Sequence, residues 1–221
     1  MEMIVKILKI EDLTPDVKRF IVEKPEKFDF ISGQAAHISI NKDGMRDKVR
    51  PFTFTCVSED ENLEFIIKKY EEHNGVTKQI HELVVGDELI LKDVFGAIRY
   101  KGKGVFIAGG TGITPFISIF RDLNKRQELK GNKLIFSNKT NKDIILEDEL
   151  KSMFGSDLIL TLTNENKEGY HNSRIDENFL KENIKDFNEK FYLCGPPKMV
   201  VDLKVALNSL GVDFSEVVFE E

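Results

Sequence analysis

The sequence predicts two domains: an N-terminal antiparallel β-barrel over residues 1–101 and a C-terminal α/β domain with a parallel sheet over residues 102–221. Its 221 residues correspond to about 1.5 domains of average size. The first hundred residues contain short segments in which apolar residues alternate with polar ones. After Lys101-Gly102-Lys103-Gly104, strands alternate with helical stretches, a pattern typical of βαβ units.

The first domain is predicted to contain six strands and one short helix. The strand segments are rich in Ile, Val, Phe and Thr, and turn residues separate them, which is typical of a small antiparallel barrel. The predicted strands are residues 4–10, 17–24, 34–40, 50–58, 62–70 and 87–93, and the predicted helix is 77–83.

The second domain is predicted to contain five strands and four amphipathic helices in alternation. The predicted strands are residues 104–109, 133–138, 158–163, 190–195 and 215–221. The predicted helices are residues 114–127, 145–154, 175–187 and 197–211.

Composition excludes several classes of function. The formal charge is −6, and no block of Lys and Arg is present, which argues against a nucleic-acid partner. No apolar run resembles a signal peptide or a membrane span, so we expect a cytoplasmic protein. Two cysteines are too few for a disulfide framework or a cysteine-ligated iron–sulfur cluster. The four histidines lack metal-ligand spacing, so no metal site is expected.

Two glycine-containing turns follow predicted strands of the second domain. The first has the pattern G-x-G-x-x-P at Gly110-Thr111-Gly112 and Pro115, where backbone N–H groups at a helix start can hold a phosphate. The second is Cys194-Gly195-Pro196, at the strand end where open α/β sheets bind ligands. An ordinary turn and a buried cysteine would give the same patterns, but two such turns in one sheet favour a binding crevice.

Two segments of the first domain are also candidate ligand sites. In Arg50-Pro51-Phe52-Thr53, the arginine suits phosphate oxygens, and the aromatic and hydroxyl side chains suit a planar ring. An edge strand that tolerates proline is the alternative. Gly75-Val76-Thr77 leads into a predicted helix start, another candidate phosphate site, although simple capping would explain it equally well.

The order of these four segments resembles the ferredoxin–NADP reductase family, closest to small bacterial flavodoxin and ferredoxin reductases and to reductase components of oxygenases. The resemblance extends from about Ile4 to Glu221. It implies an NAD(P)H-dependent flavoprotein reductase with an N-terminal FAD-binding barrel, a C-terminal NAD(P)-binding domain and the flavin in the cleft between them.

By this resemblance, Arg50 holds the flavin phosphate, Phe52 packs on the isoalloxazine, and Thr53 donates a hydrogen bond to the flavin N5. The backbone of the next predicted strand, residues 62–70, contacts the pyrimidine edge of the flavin. The start of the helix that follows binds the pyrophosphate. The other flavin-binding positions implied are Pro51, Ile66, Ile67, Lys68, Gly75, Val76 and Thr77.

The resemblance also assigns coenzyme positions, with Cys194 near the reacting carbon of the nicotinamide and Glu220 shaping the nicotinamide pocket. Ser137 and Lys139 are candidates for a 2′-phosphate. No arginine lies in the loops 137–140 and 163–166, so NADPH and NADH both stay open. The remaining implied coenzyme positions are Gly110, Thr111, Gly112, Pro115, Gly195, Pro196 and Met199.

Three features depart from the family pattern. Phe52 replaces the usual tyrosine, and Asp93-Val94-Phe95-Gly96 stands where a G-P-x-G turn is usual. The chain ends in Val218-Phe219-Glu220-Glu221 without the terminal aromatic that covers the flavin in relatives. Strand alternation predicts that Phe219 faces away from that position.

The implied reaction is hydride transfer from the nicotinamide C4 to the flavin N5, with Thr53, Cys194 and Glu220 as catalytic positions. Single electrons then pass to flavodoxin, ferredoxin or an oxygenase component. A local basic face is needed for such acidic carriers, and the candidates are Lys42, Arg46, Lys48, Lys68 and Lys69. A free-flavin or ferric reductase and a non-catalytic subunit of a redox complex are the alternatives.

Overall fold

The computed structural model describes residues 2–70, 75–96 and 98–219. They form two compact units, which are described separately below. The first comprises the described part of Met1–Arg99 together with Thr114–Asp122, and the second comprises Tyr100–Ile113 and the described part of Leu123–Glu221. The domain boundary at residue 101 stays a prediction.

The first unit is built on six antiparallel strands in the order β4-β3-β6-β1-β2-β5. Because apolar residues alternate along them, each strand turns one face inward. The strands are β1 (Met3–Thr14), β2 (Val17–Glu23), β3 (Ala35–Ile40), β4 (Arg50–Thr53), β5 (Asn62–Lys68) and β6 (Glu88–Phe95). The short helix α1 (Val76–His81) follows β5.

The two edge strands of this sheet meet just beyond the end of β4, which makes the sheet barrel-like. Phe54 forms an isolated bridge with Phe65 of β5, and the Thr55 N–H donates to the Glu64 carbonyl at 3.0 Å. The inward side chains form one apolar core that includes Phe20, Phe54 and Phe65. The predicted antiparallel fold of the first domain is therefore confirmed.

A charged cluster lies beside this barrel seam. Arg121, from the segment of the first unit that follows residue 113, donates to the Thr55 carbonyl at 2.8 Å and to Glu64 Oε1 at 2.6 Å. The Thr55 hydroxyl donates to the same carboxylate oxygen at 2.7 Å. Both charged side chains are mostly buried, and the guanidinium of Arg19 lies 3.9 Å from the other Glu64 oxygen, so the Glu64 carboxylate has two cationic neighbours.

The second unit is built on five parallel strands in the order β11-β10-β7-β8-β9. The strands are β7 (Gly104–Gly109), β8 (Lys133–Asn138), β9 (Leu158–Leu162), β10 (Lys190–Cys194) and β11 (Val217–Phe219). The helices that alternate with them along the chain are α2 (Thr114–Lys125), most of which belongs to the first unit, α3 (Glu147–Phe154), α4 (Glu177–Asn183) and α5 (Pro197–Ser209). The predicted parallel α/β fold is confirmed.

The two faces of the parallel sheet carry different side chains. Ile107, Ile135 and Leu193 share an apolar cluster with residues of α4 and α5. Because side chains alternate along a strand, Phe106 and Tyr192 lie on the opposite face, where their rings stack at 4.1 Å between centroids. The sheet is thus buried on both sides, as is usual for parallel sheets.

Within the described residues, the helices are too short or too polar for any of them to cross a lipid bilayer.

Candidate functional site

The order of the parallel strands creates a topological switch point between β7 and β10. From β7 the chain moves outward to β8 and β9, and it then returns to β10 on the other side of β7. Open α/β sheets bind ligands outside the carboxyl ends of the strands at such a point. Both glycine-containing turns start there, since Cys194 pairs with Ala108 at the ends of β10 and β7.

Close contact between these two turns explains Gly112 and bears on Gly109. A Cβ atom on Gly112 would overlap the carbonyl oxygen of Cys194 and lie 2.6 Å from the Cα of Gly195. A Cβ atom on Gly109 would overlap the side-chain atom Met199 Sδ and lie 3.0 Å from Pro196 Cδ. The predicted residues of the two turns are therefore brought together, and Gly109, for which no role was predicted, packs between them.

Gly110 has a different role in the first turn. It adopts φ +52°, and the position of a Cβ atom there is open, with no atom within 4 Å. It begins the 3₁₀ turn Gly110–Ile113, which leads into α2 with Pro115 in its first turn. Because proline lacks an N–H and costs little there, the turn leaves backbone accessible to a ligand at Gly110.

The ends of β8 and β9 carry the candidates for coenzyme selectivity. Ser137 pairs with Gly109 and is half-buried, whereas Lys139 is exposed. The Glu165 carboxylate accepts a hydrogen bond from the Asn141 N–H at 2.7 Å, and the Asn164 N–H donates to the Lys139 carbonyl at 2.9 Å. Folding thus places the Glu165 carboxylate at this edge of the sheet. The lack of arginine in the two loops did not by itself indicate a negative charge there.

In the first unit, the Arg50 segment forms the edge strand β4, which pairs with β3 on one side, so Pro51 is tolerated there. The exposed Arg50 guanidinium donates to the Val49 carbonyl at 2.8 Å. It forms no ion pair within the described part of the chain. Phe52 packs against the barrel core, and Thr53 is half-buried.

The main chain of β5 has one paired and one outward side. The Lys69 N–H donates to the Asp16 carbonyl at 2.7 Å, so the odd-numbered residues of β5 form the backbone hydrogen bonds to β2. The main-chain groups of the even-numbered residues Ile66 and Lys68 therefore point away from β2. The Glu64 carbonyl accepts a hydrogen bond from the Thr55 N–H, and the Glu64 N–H donates to the Cys56 thiol. Burial raises the pKa of that thiol to about 12, which keeps it neutral.

Lys68 and His81 engage other parts of the same strand region. The Lys68 ammonium pairs with Asp16 at 2.5 Å, so its side chain is already partly neutralised. The Ile67 carbonyl lies 2.8 Å from His81 Nε2. Burial, the largest influence, lowers the pKa of His81, which favours its neutral form near pH 7.

The start of α1 follows a glycine. Gly75 is the extended residue before Val76 and, having no side chain, makes no side-chain hydrogen bond to the helix start. The first backbone N–H groups of a helix lack partners within the helix. Val76 is buried and Thr77 half-buried. Asn74, the alternative capping residue, lies outside the described residues.

The carboxyl end of the chain is described only to Phe219. This residue, in β11, pairs with Leu193 of β10 and packs against the apolar cluster that includes residues of α4 and α5. The Lys204 ammonium lies 3.5 Å from the centroid of the Phe219 ring. Phe219 therefore packs within the second unit, and the expectation that it faces away from the flavin position stays a prediction. Glu220, predicted as a catalytic residue, lies outside the described residues.

These features fit a flavin and a nicotinamide coenzyme. An exposed guanidinium without an ion pair in the described residues suits a phosphate, and outward main-chain groups on β5 suit the edge of a heterocycle. The open backbone at Gly110 suits a coenzyme at the switch point. Fold and site together define the class of two-domain proteins that are suited to bind a flavin and a nicotinamide coenzyme.

The comparisons agree with this class. A protein-family model described as an FAD-binding domain matches residues 2–132. A second family model, described as an oxidoreductase NAD-binding domain, matches residues 106–204. The chain is 33% identical over 196 residues to NADH-cytochrome b5 reductase 1 of Mycosarcoma maydis, covering 80% of this chain and 59% of that protein. It is 31% identical to the Eremothecium gossypii enzyme of the same name, covering 80% and 68%.

A solved structure shows the same fold. The ferredoxin NADP+ reductase from Neisseria gonorrhoeae with bound FAD and NADP has a TM-score of 0.87 at 20% identity, covering 99% of this chain and 98% of that one. The chain belongs to the ferredoxin–NADP reductase family, and it contains an FAD-binding and an NAD-binding domain. It spans about three fifths of the length of the first curated relatives.

We expect Arg50→Met to weaken FAD binding about 10- to 100-fold. Hydrogen bonds to charged groups contribute about 1.5–3 kcal/mol, and about 1.4 kcal/mol changes an affinity tenfold. The melting temperature of the apoprotein should not change, because the Arg50 side chain is exposed and, within the described residues, its guanidinium bonds to the Val49 carbonyl alone. Flavin fluorescence titration measures the Kd.

Arg46→Met is the matched control, since Arg46 is exposed in the loop just before β4 and its loss changes the net charge equally. Equal FAD affinity in the Arg50 and Arg46 variants would show that Arg50 does not hold the phosphate.

Proposed function

We propose that this reductase takes electrons from NADH and delivers them one at a time, through FAD, to a separate haem protein of the cytochrome b5 type. The observation that carries the nicotinamide half is the meeting of both glycine turns at the switch point between β7 and β10. Two curated relatives are named NADH-cytochrome b5 reductases, which supports the haem acceptor over flavodoxin or ferredoxin.

In this proposal each residue of the flavin site binds or orients. Bound FAD supplies the conversion of a two-electron donor into single-electron transfers. Arg50 binds its phosphate, and the helix start at Gly75, Val76 and Thr77 binds the pyrophosphate. Phe52 supports the ring, with Thr53 donating a hydrogen bond to its N5 side. The Ile66 carbonyl and the outward main-chain groups of Lys68 bind the pyrimidine edge.

The coenzyme site would be formed by the two turns of the second unit. Gly110 and Thr111 receive the dinucleotide through backbone groups, and Gly112 lets the turns approach. Cys194 lies at the end of β10 and lines the nicotinamide site together with Gly195, Pro196 and Met199. The protein's main contribution is to hold the two reacting rings in a productive geometry, which can lower a barrier substantially.

The predicted basic face is reduced by internal ion pairs. Lys42 pairs with Asp87 at 3.0 Å, and Lys68 pairs with Asp16. Arg46 and Lys48 are exposed in the loop between β3 and β4, next to Arg50. These two side chains are therefore the better candidates for steering an acidic acceptor, and their effect would fall mainly on the association rate.

The acceptor is tested by anaerobic turnover with NADH and a panel of purified carriers: a soluble cytochrome b5 domain, a ferredoxin, a flavodoxin and an oxygenase component. We expect the cytochrome b5 domain to give a kcat/KM at least about tenfold above the others, since complementary docking separates partners by kcal/mol amounts. Faster reduction of ferredoxin or flavodoxin would contradict the haem acceptor, and reaction with free flavin or ferric ions alone would favour the free-flavin alternative.

NADH is favoured over NADPH by the charge at the ends of β8 and β9. At these strand ends, the Glu165 carboxylate accepts a hydrogen bond from the Asn141 N–H at 2.7 Å. The neighbouring residue Asn164 donates its N–H to the Lys139 carbonyl. A 2′-phosphate entering this edge would meet a like charge. Lys139 would oppose that repulsion, so the balance between Glu165 and Lys139 sets the selectivity.

Glu165→Gln should raise kcat/KM for NADPH about five- to tenfold and leave that for NADH within about twofold. Removing a repulsion of roughly 1 kcal/mol corresponds to about this change in rate. Steady-state kinetics with both coenzymes at one ionic strength measures it.

Glu168→Gln is the control, because Glu168 is exposed in the same loop and loses the same charge. A similar gain for NADPH in both variants would assign the effect to net charge, and no gain in either would remove Glu165 from coenzyme selection.

A further inference from the structure

The two barrel segments that are proposed to hold opposite sides of the flavin ring meet at a short seam. Thr53 is proposed to face the N5 side of the ring, and β5 is proposed to bind its pyrimidine edge. In the described part of the chain, the two segments pair through an isolated bridge that joins the Ile66 N–H to the Thr53 carbonyl. Next to it, the Thr55 N–H donates to the Glu64 carbonyl at 3.0 Å. Such a short backbone pairing leaves much of the seam geometry to side chains.

Arg121 supplies side-chain hydrogen bonds across this seam. One nitrogen of its guanidinium, Nη1, donates to the Thr55 carbonyl at 2.8 Å and to Glu64 Oε1 at 2.6 Å. The Thr55 hydroxyl donates to the same carboxylate oxygen at 2.7 Å. The exposed fractions of the Arg121 and Glu64 side chains are 19% and 13%, so solvent ions screen their attraction only weakly. The guanidinium therefore joins the two segments directly.

The helix that carries Arg121 is itself anchored to the barrel. Arg121 lies in the part of α2 that belongs to the first unit. About one turn earlier in the helix, the hydroxyl of the fully buried Ser118 accepts a hydrogen bond from the Gly33 N–H at 2.9 Å. Gly33 lies just before β3, the strand that pairs with β4. The guanidinium thus acts on the seam from a fixed support.

Resting on the proposed function, we propose that Arg121 is a positioning residue for the flavin ring. It acts through Thr55 and Glu64, and each of these lies two residues from a group that is assigned to the flavin. Those groups are Thr53, on the N5 side, and the carbonyl of Ile66, at the pyrimidine edge. By fixing the separation of the two groups, the guanidinium orients the ring for reaction with the nicotinamide.

The test compares wild type with Arg121→Met in the FAD-loaded protein, through anaerobic stopped-flow reduction by NADH. Because a small misplacement of reacting atoms can cost up to about 100-fold in rate, we expect the limiting rate of flavin reduction to fall about 10- to 100-fold. The Kd of FAD should stay within about threefold, because Arg50, proposed to bind the phosphate, lies at the start of β4, outside this cluster.

A second readout does not depend on turnover. The visible circular dichroism of the bound flavin reports the asymmetric surroundings of the ring, and we expect it to change in Arg121→Met. A role confined to the stability of the barrel would lower the melting temperature and leave this signal as it is in wild type.

Arg121→Lys is the conservative variant. Both hydrogen bonds come from one guanidinium nitrogen, and an ammonium, with three donors, can donate to both acceptors. We expect it to restore the wild-type dichroism and most of the reduction rate. Arg126→Met is the matched control, since Arg126 is exposed just after α2 and the same charge is lost. It should leave the rate and the dichroism unchanged.

A reduction rate or a flavin dichroism in Arg121→Met equal to that of wild type would overturn the assignment, and so would a failure of Arg121→Lys to restore them. An FAD affinity that falls by the same factor as the rate would also overturn it, since the whole flavin site would then be disturbed. If Arg121→Met does not fold, Arg121→Gln is measured in the same way, and the same selective loss is required. A wild-type protein whose bound flavin is not reduced by NADH would count against the proposed function, while the dichroism of the variants would still decide the role of Arg121.

Discussion

The close backbone approach of two turns at the ends of β7 and β10 is the constraint on which the site depends. It requires glycine at 112, because a Cβ atom there would overlap the Cys194 carbonyl, whereas a Cβ atom at 109 would have to displace the flexible end of Met199. Gly110 faces open space. The packing of the two turns therefore leaves an open position at the switch point, where we propose that the coenzyme binds.

The barrel provides a second rigid support by a different means. Its seam is closed by the Phe54–Phe65 bridge and by the Arg121–Glu64–Thr55 cluster. Because the Phe54–Phe65 bridge also engages the Ile66 N–H with the Thr53 carbonyl, the next outward main-chain groups on β5 are the Ile66 carbonyl and those of Lys68. The part of β5 that is proposed to bind the flavin therefore lies next to the seam. Arg50 lies on β4, the strand that leads into the seam.

Much of this could be predicted from the sequence, because local patterns determine it. Alternating apolar residues predicted the strands, and strand–helix alternation predicted the parallel sheet. The turns at Gly110 and Cys194 could be placed at one edge because carboxyl ends of parallel strands share an edge. The family and both cofactors followed from the order of four short motifs, and the domain matches confirm them.

The rest depends on contacts between residues distant in the chain. The ion pairs of Lys42 with Asp87 and of Lys68 with Asp16 weaken the basic face that acidic carriers would need. Glu165 lies in a loop that the sequence pointed out, but its hydrogen bond to Asn141, 24 residues away in the chain, could not be predicted from a local pattern.

The most direct measurement is an anaerobic titration of the purified, FAD-reconstituted protein with NADH, followed through the visible absorbance of the flavin. The account predicts that stoichiometric NADH bleaches this absorbance and that an added one-electron haem acceptor restores it. A protein that retains no flavin, or one whose flavin spectrum is unaffected by NADH and by NADPH, would contradict it.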